Sequence, residues 1–180
     1  MLRILIPVLA IVGAFASGVE QTLESRAELS SRLSLFNTTQ LSYLWGHNKV
    51  RATHAAPGLV WNDTLADRAL AWANQCQLEH SGGNLLDGTP YGENLVAGTG
   101  NFPIEDAVKQ FAQDRDLYDP SFPTYNHWTQ VVWRDTRSLG CASAQCSGLF
   151  ESKLGPASYY VCLYYPPGNV IGQISDNVKA

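Results

Sequence analysis

A chain of 180 residues, 45% apolar and 16% charged, suits one domain with its own core and excludes a disordered tether. The formal net charge is −4 with no basic run, which excludes a protein that tracks nucleic-acid phosphates. Aromatic residues are plentiful, with Tyr crowding the second half.

Residues 1–16 read as a secretory signal peptide. Arg3 precedes an almost unbroken apolar stretch from Ile4 to Phe15, and Ala14-Phe15-Ala16 has the small-x-small form at which such leaders are cut. A buried N-terminal helix is the competing reading. The stretch is short for a bilayer span and no later one approaches that length, so no transmembrane segment is expected. Residues 17–39 are polar and read as a pro-segment or linker, and residues 40–180 as the folded domain. Asn37-Thr38-Thr39 and Asn62-Asp63-Thr64 make Asn37 and Asn62 candidate glycosylation sites.

Leu41, Leu44, Trp45 and Val50 fall at helical spacing, and Pro57-Gly58 closes that segment. Asn62 or Asp63 can cap a second helix over Thr64–Cys76, with Leu65, Ala66, Ala69, Leu70 and Ala73 on one face. His80 to Gly100 holds too much Gly and Pro for one regular element. A third helix is expected after Asn101, with Pro103 in its first turn, Glu105 and Asp106 at its positive end, and Ile104, Ala107, Val108 and Phe111 inward. Tyr118 to Asn126 is a proline-broken loop, and His127–Trp133 is too short for periodicity to decide. Ser138–Ala144 and Ser158–Tyr165 read as strands, Tyr159, Val161 and Leu163 alternating with Tyr160, Cys162 and Tyr164. Helices followed by strands, without β-α-β alternation, predict an α+β domain with an antiparallel sheet.

Cys76, Cys141, Cys146 and Cys162 are an even set in a chain bound for an oxidising compartment, so two disulfides are expected out of three pairings. Cys141 and Cys162 each lie in a strand-like stretch, and neighbouring strands can join them, leaving Cys76 for Cys146. No C-x-x-C occurs, which speaks against a zinc–thiolate site.

Five short stretches carry a resemblance. In order, they are His47-Asn48-Lys49-Val50-Arg51, Cys76-x-Leu78-x-His80-Ser81, Gly92-Glu93-Asn94-Leu95, His127-Trp128-Thr129-Gln130-Val131-Val132-Trp133, and Cys162-Leu163-Tyr164-Tyr165-Pro166-Pro167-Gly168-Asn169. Together they resemble the CAP superfamily of cysteine-rich secretory, antigen 5 and pathogenesis-related class 1 proteins, over about Leu41 to Gly172. The four-cysteine set is similar to fungal-type members. The resemblance implies an α-β-α sandwich with a three-stranded antiparallel sheet flanked by helices. It also implies a short helix at His127 and the bridges Cys76–Cys146 and Cys141–Cys162. Asn126 stands where the family usually has Gly, Leu163 where a polar residue is typical, and Asp114 where Glu is usual.

Carried onto this chain, the family's cleft tetrad is His80, Glu93, Asp114 and His127. Two imidazoles can ligate a divalent metal, Zn²⁺ before Mg²⁺, while two carboxylates orient waters or take protons. No cofactor is required by this reading. A purely structural hydrogen-bonding network is the competing account. A metal-dependent hydrolase with Glu93 as base is a minor alternative, since no H-E-x-x-H or G-x-S-x-G occurs. His47 reads as a packing residue and His54 as a surface one.

In the proline-stiffened loop, Tyr118, Phe122, Tyr125 and, less directly, Trp128 offer flat faces to a rigid apolar ligand, unless they fold into the core. The resemblance implies that such a loop binds sterols, that some relatives hold fatty acids between helices, and that the protein exports such lipids. An effector or defence role toward a host or cell-surface protein is the other expectation.

Overall fold

The computed structural model describes residues 38–179, so the expected signal peptide and Asn37 lie outside the described residues. The chain divides after Thr39, and the account below concerns the unit from Gln40 onward. Its elements in chain order begin with helix α1, which occupies residues 40–52 of this unit. Strand β1 (Val60–Trp61), helix α2 (Asp63–Ala73), strand β2 (Gly92–Thr99) and helix α3 (Ile104–Gln113) follow, the last tightening into a 3₁₀ turn, Asp114–Leu117. Helix α4 (His127–Val131), strands β3 (Ser138–Cys146) and β4 (Ala157–Tyr165) and helix α5 (Ile174–Asn177) complete the fold.

The sheet has the order β1-β3-β4-β2. Strands β2, β4 and β3 form the expected antiparallel triplet, while β1 adds a two-residue parallel edge to β3, which makes four strands where three were expected. Period-two alternation along β4 is the organising feature. Tyr160, Cys162 and Tyr164 pack with Tyr43, Val108, Phe111 and Trp128 on one face, where α1, α3 and α4 lie. Tyr159, Val161 and Leu163 pack with Leu65, Ala69 and Ala73 of α2 on the other. A strand buried on both faces must be covered on both, and the result is helix–sheet–helix.

Local chemistry sets the ends of the helices. The Asn62 side chain accepts from the Leu65 amide at 3.1 Å and so caps α2, an interaction that contributes about 1 kcal/mol. Helix α2 ends at Ala73, earlier than the expected Cys76, and Leu70, read as inward, is exposed. Gly140 of β3 lets α2 approach: a Cβ there would lie 2.2 Å from the Ala66 nitrogen. Asn126 caps α4, its side chain accepting from the Thr129 amide at 2.9 Å while its own amide donates to the Thr129 hydroxyl at 2.9 Å.

His80–Gly100 is not one regular element, as expected, but its second part is strand β2, which the sequence reading did not single out. Gly92 and Gly98, which suggested a breaker, are close-packing positions. A Cβ at Gly92 would sit 2.0 Å from Gln130 Oε1, and one at Gly98 would sit 2.5 Å from the Phe102 ring. The disulfides are Cys76–Cys146, which ties the segment after α2 to the end of β3, and Cys141–Cys162, between paired residues of β3 and β4.

Candidate functional site

The first motif residues anchor the scaffold. His47 is fully buried; its Nδ1 lies 2.8 Å from the Tyr43 carbonyl and its Nε2 2.8 Å from the Tyr164 hydroxyl. A carbonyl can only accept, so Nδ1 carries the proton and Nε2 accepts from Tyr164. Burial pulls the His47 pKa down to about 4, the Tyr43 carbonyl opposes that pull, and the nearby Arg51 charge adds to it. Burial likewise pushes the Tyr164 hydroxyl far up, which keeps it a proton donor. Asn48 clasps Leu59, donating to its carbonyl at 3.1 Å and accepting from its amide at 2.7 Å. Arg51 is buried and donates to the carbonyls of Pro57, Val131, Trp133 and Thr136 at 2.7 to 2.9 Å, gathering the chain at the end of α4. Burial lowers its pKa to about 10, so the guanidinium stays charged at neutral pH.

The four expected cleft residues assemble as two imidazole–carboxylate pairs. His80 Nδ1 lies 2.6 Å from Glu93 Oε1, and His127 Nδ1 lies 2.8 Å from Asp114 Oδ2. Asp114 reaches its histidine despite being a methylene shorter than Glu; it opens the 3₁₀ turn, which packs against α4. Its Oδ2 also accepts the His127 amide at 3.1 Å, and its carbonyl accepts Asn126 Nδ2 at 3.1 Å. The pairs sit on adjoining elements: Asn94, next to Glu93, donates through Nδ2 to the His127 carbonyl at 2.9 Å and to the Tyr164 hydroxyl at 3.2 Å. Glu93 is heavily engaged, its carboxylate also accepting from the Ser81 amide at 3.1 Å and from the Ser81 hydroxyl.

A cavity of about 360 Å³ opens beside Glu93 and His80, bordered by Tyr91, Gly92, Gln130 and Gly168. Gln130 was not singled out from sequence, yet it is the keystone of this wall. Its Oε1 accepts the Gly168 amide at 3.1 Å, and its side chain fills the space that any Cβ at Gly92 or Gly168 would need. The signal was present as two glycines, but it becomes meaningful only once both are known to face one glutamine.

For a metal, the available ligands are the Nε2 atoms of His80 and His127, since both Nδ1 atoms are turned to carboxylates. Among the described residues, the one group of three donors within 4.8 Å is His47 with Cys141 and Cys162. Those sulfurs are joined in a disulfide and His47 is saturated, so that group holds no metal.

The aromatic loop divides into two parts. Phe122 is 79% exposed and Tyr125 40% exposed, the latter accepting the Gly172 amide at 2.8 Å. Trp128 and Tyr118 correct the expectation of an outward ligand face: Trp128 is 0% exposed and Tyr118 9%. Their rings pack together at 5.0 Å, and the Arg115 guanidinium lies 5.3 Å from Trp128. Trp128 is the second residue of α4, two after the Asn126 cap, and its side chain packs inward with core residues of α1 and α3. His54, expected on the surface, is half-buried with its ring 5.2 Å from Trp128.

A second cavity, about 470 Å³, runs between α1 and α3, walled by Trp45, Val50, Val108 and Ala112 and bordered by Lys49, Lys109, Arg115 and Trp128. Trp128 Nε1 is buried without a hydrogen-bond partner. Gly46 is the sequence signal for this groove, because a Cβ there would stand 3.1 Å from Val108 Cγ1, so the helices meet closely at that point.

Residues 45–164 match the family model "CAP: Cysteine-rich secretory protein family". The chain is 39% identical to fruiting body protein SC14 of Schizophyllum commune, over 72% of this chain and 62% of that protein. It is 36% identical to pathogenesis-related protein 1B of Nicotiana tabacum, over 79% of this chain and 84% of that one. In fold it is similar to the venom allergen-like protein 4 of Schistosoma mansoni, with a TM-score of 0.56 and 22% identity over 71% of this chain and 87% of that one. The chain thus spans less than two thirds of the fruiting body protein's length.

Proposed function

Because the chain belongs to the CAP, cysteine-rich secretory protein family, we propose that it acts outside the cell as a non-catalytic lipid binder and exporter, taking a sterol or a related rigid amphipathic lipid on the loop that carries Phe122. Members of this family are generally not enzymes and generally need no cofactor. The observation that carries the reading is the exposed Phe122 ring on a braced loop. Pro120 and Pro123 flank it, and Asp119 fixes the turn by accepting the Phe122 amide through its carbonyl at 3.1 Å and the Ser121 amide through Oδ1 at 2.8 Å. A preformed loop loses little entropy on binding, and a flat ring suits a fused-ring ligand. The two disulfides fit an oxidising compartment, and among the described residues no helix is long and apolar enough to cross a membrane. Saturable binding of labelled sterol, competed by unlabelled sterol and weakened in Phe122→Ala, tests the reading. Absence of competition removes sterol as the ligand.

A second lipid reading has its own observation. The groove between α1 and α3 has apolar walls, and Lys49, Lys109 and Arg115 outnumber Glu105 along it, a lining that a long-chain carboxylate would use. Fatty-acid binding that persists in Phe122→Ala distinguishes it.

The hydrolase alternative is disfavoured by Glu93, whose two oxygens are occupied by His80 and Ser81 and so make a poor general base. A divalent ion, zinc before magnesium, belongs to the reading as an accessory at His80 and His127. Recognition by a host or cell-surface protein remains the competing role, and a pull-down that survives loss of sterol binding would favour it.

A further inference from the structure

The loop bearing Phe122 and the turn bearing Ile171 are stitched together. The Gly172 amide donates to the Tyr125 hydroxyl oxygen at 2.8 Å, Asn169 Nδ2 donates to the Asn126 carbonyl at 2.9 Å, and the Thr129 hydroxyl donates to Asn169 Oδ1 at 2.7 Å. Phe122 is thus three residues, and Ile171 one residue, from the two members of a single hydrogen bond. Ile171 is 88% exposed, more than Phe122 itself. A lone exposed apolar residue needs no account, but two large ones on tips tied at their bases do.

Three features define what these tips fit. Several backbone donors at their bases are satisfied locally: Phe122 N donates to the Asp119 carbonyl, Ser121 N to Asp119 Oδ1, Gly172 N to the Tyr125 hydroxyl and Gln173 N to the Val170 carbonyl. A hydrocarbon phase penalises unpaired N–H groups, so these bonds lower the cost of shallow entry into lipid. No Asp, Glu, Lys or Arg occurs from Ser121 to Asn126 or from Pro166 to Gln173. Such a rim matches a zwitterionic surface and gives anionic headgroups nothing to attract. Tyr125 lies between the tips in sequence and hydrogen bonding, with the apolar body and polar end suited to the headgroup level. A peptide partner would look for an open strand edge or a groove, and single projecting side chains offer neither.

We propose that Phe122 and Ile171 form a two-point wedge by which the protein docks on a zwitterionic lipid bilayer. The proposal deepens the lipid-carrier reading and rests on it for its purpose, since a carrier must meet a membrane to load or unload a sterol.

The test uses the full chain and sterol-free phosphatidylcholine vesicles in flotation, with sterol capture measured separately in vesicle-free solution. Wild type is expected to float with the vesicles, with no gain from added phosphatidylserine and no loss at high salt. Ile171→Asp is expected to weaken partition about tenfold or more, with its thermal midpoint and sterol capture unchanged. Phe122→Asp is expected to weaken both vesicle binding and sterol capture. Wild type left at the bottom of the gradient, binding that needs phosphatidylserine and disappears in salt, or Ile171→Asp floating as wild type does would each overturn the wedge. Vesicle binding that passes all of these criteria while sterol capture fails would uphold the wedge and sink the carrier.

Discussion

Asp114 holds His127 twice with one oxygen, accepting both its backbone amide at 3.1 Å and its ring Nδ1 at 2.8 Å. One carboxylate therefore supports the start of α4 and fixes the imidazole, leaving Nε2 as the atom offered to a ligand. Asp114→Ala leaves both donors without that acceptor, and a loss of about 1–2 kcal/mol is expected in urea unfolding. With zinc alone as probe, the same variant should bind the ion about 10–100-fold more weakly, because a ligating imidazole loses its orienting carboxylate. Unchanged zinc titration alongside the stability loss would make this pair structural only.

His47 predicts a pH dependence of known sign. Its pKa is about 4 in the fold against an ordinary value of 6.5, because burial disfavours the imidazolium. Below about pH 6.5 the unfolded chain takes up a proton that the folded chain refuses, so stability falls as pH drops toward 4 and levels off beneath it. The full effect is on the order of 3 kcal/mol for a wholly buried group. Urea midpoints at about pH 7 and pH 4.5 should therefore diverge in wild type and draw together in His47→Gln, which has no proton to gain. Equal pH slopes in the two proteins would show that other groups govern acid unfolding.

These residues also show how far sequence reading reaches. The alternation of Tyr159 to Tyr164 was legible because a strand covered on both faces prints a period of two. The two imidazole–carboxylate pairs were reachable only through motif resemblance, since His80 and Glu93 are 13 residues apart on segments with no common period. Burial of Trp128 was not legible: α4 spans 5 residues, too few for a periodic face. Strand β2 was hidden by its own glycines, whose purpose is set by Gln130 and Phe102 from elsewhere in the chain. What escaped is what depends on distant partners.

The disulfides should rank by the loop that each closes. Cys76–Cys146 spans a separation of 70 residues and Cys141–Cys162 one of 21. In the chain-entropy account the first contributes about 4 kcal/mol and the second about 3. Paired alanine substitutions of each bridge, compared by denaturant midpoint with a common m-value, should reproduce that order. A larger loss from Cys141–Cys162 would mean that packing between β3 and β4, not chain entropy, dominates its contribution.

Phe122 and Trp128 belong to one aromatic sequence but must answer differently to truncation. Trp128 is part of the core, so Trp128→Ala should cost about 3–5 kcal/mol and reduce every binding signal by depleting folded protein. Phe122 stands in solvent, so Phe122→Ala should leave the unfolding midpoint within about 0.5 kcal/mol of wild type. If a sterol lies on that ring, removing it deletes most of a buried aromatic contact, and sterol affinity should drop about tenfold or more. The informative quantity is affinity lost per unit of stability lost: large for Phe122→Ala and small for Trp128→Ala. Should Phe122→Ala bind sterol as wild type does while Trp128→Ala, corrected for its folded fraction, does not, the ligand sits in the groove between α1 and α3 instead of on the loop.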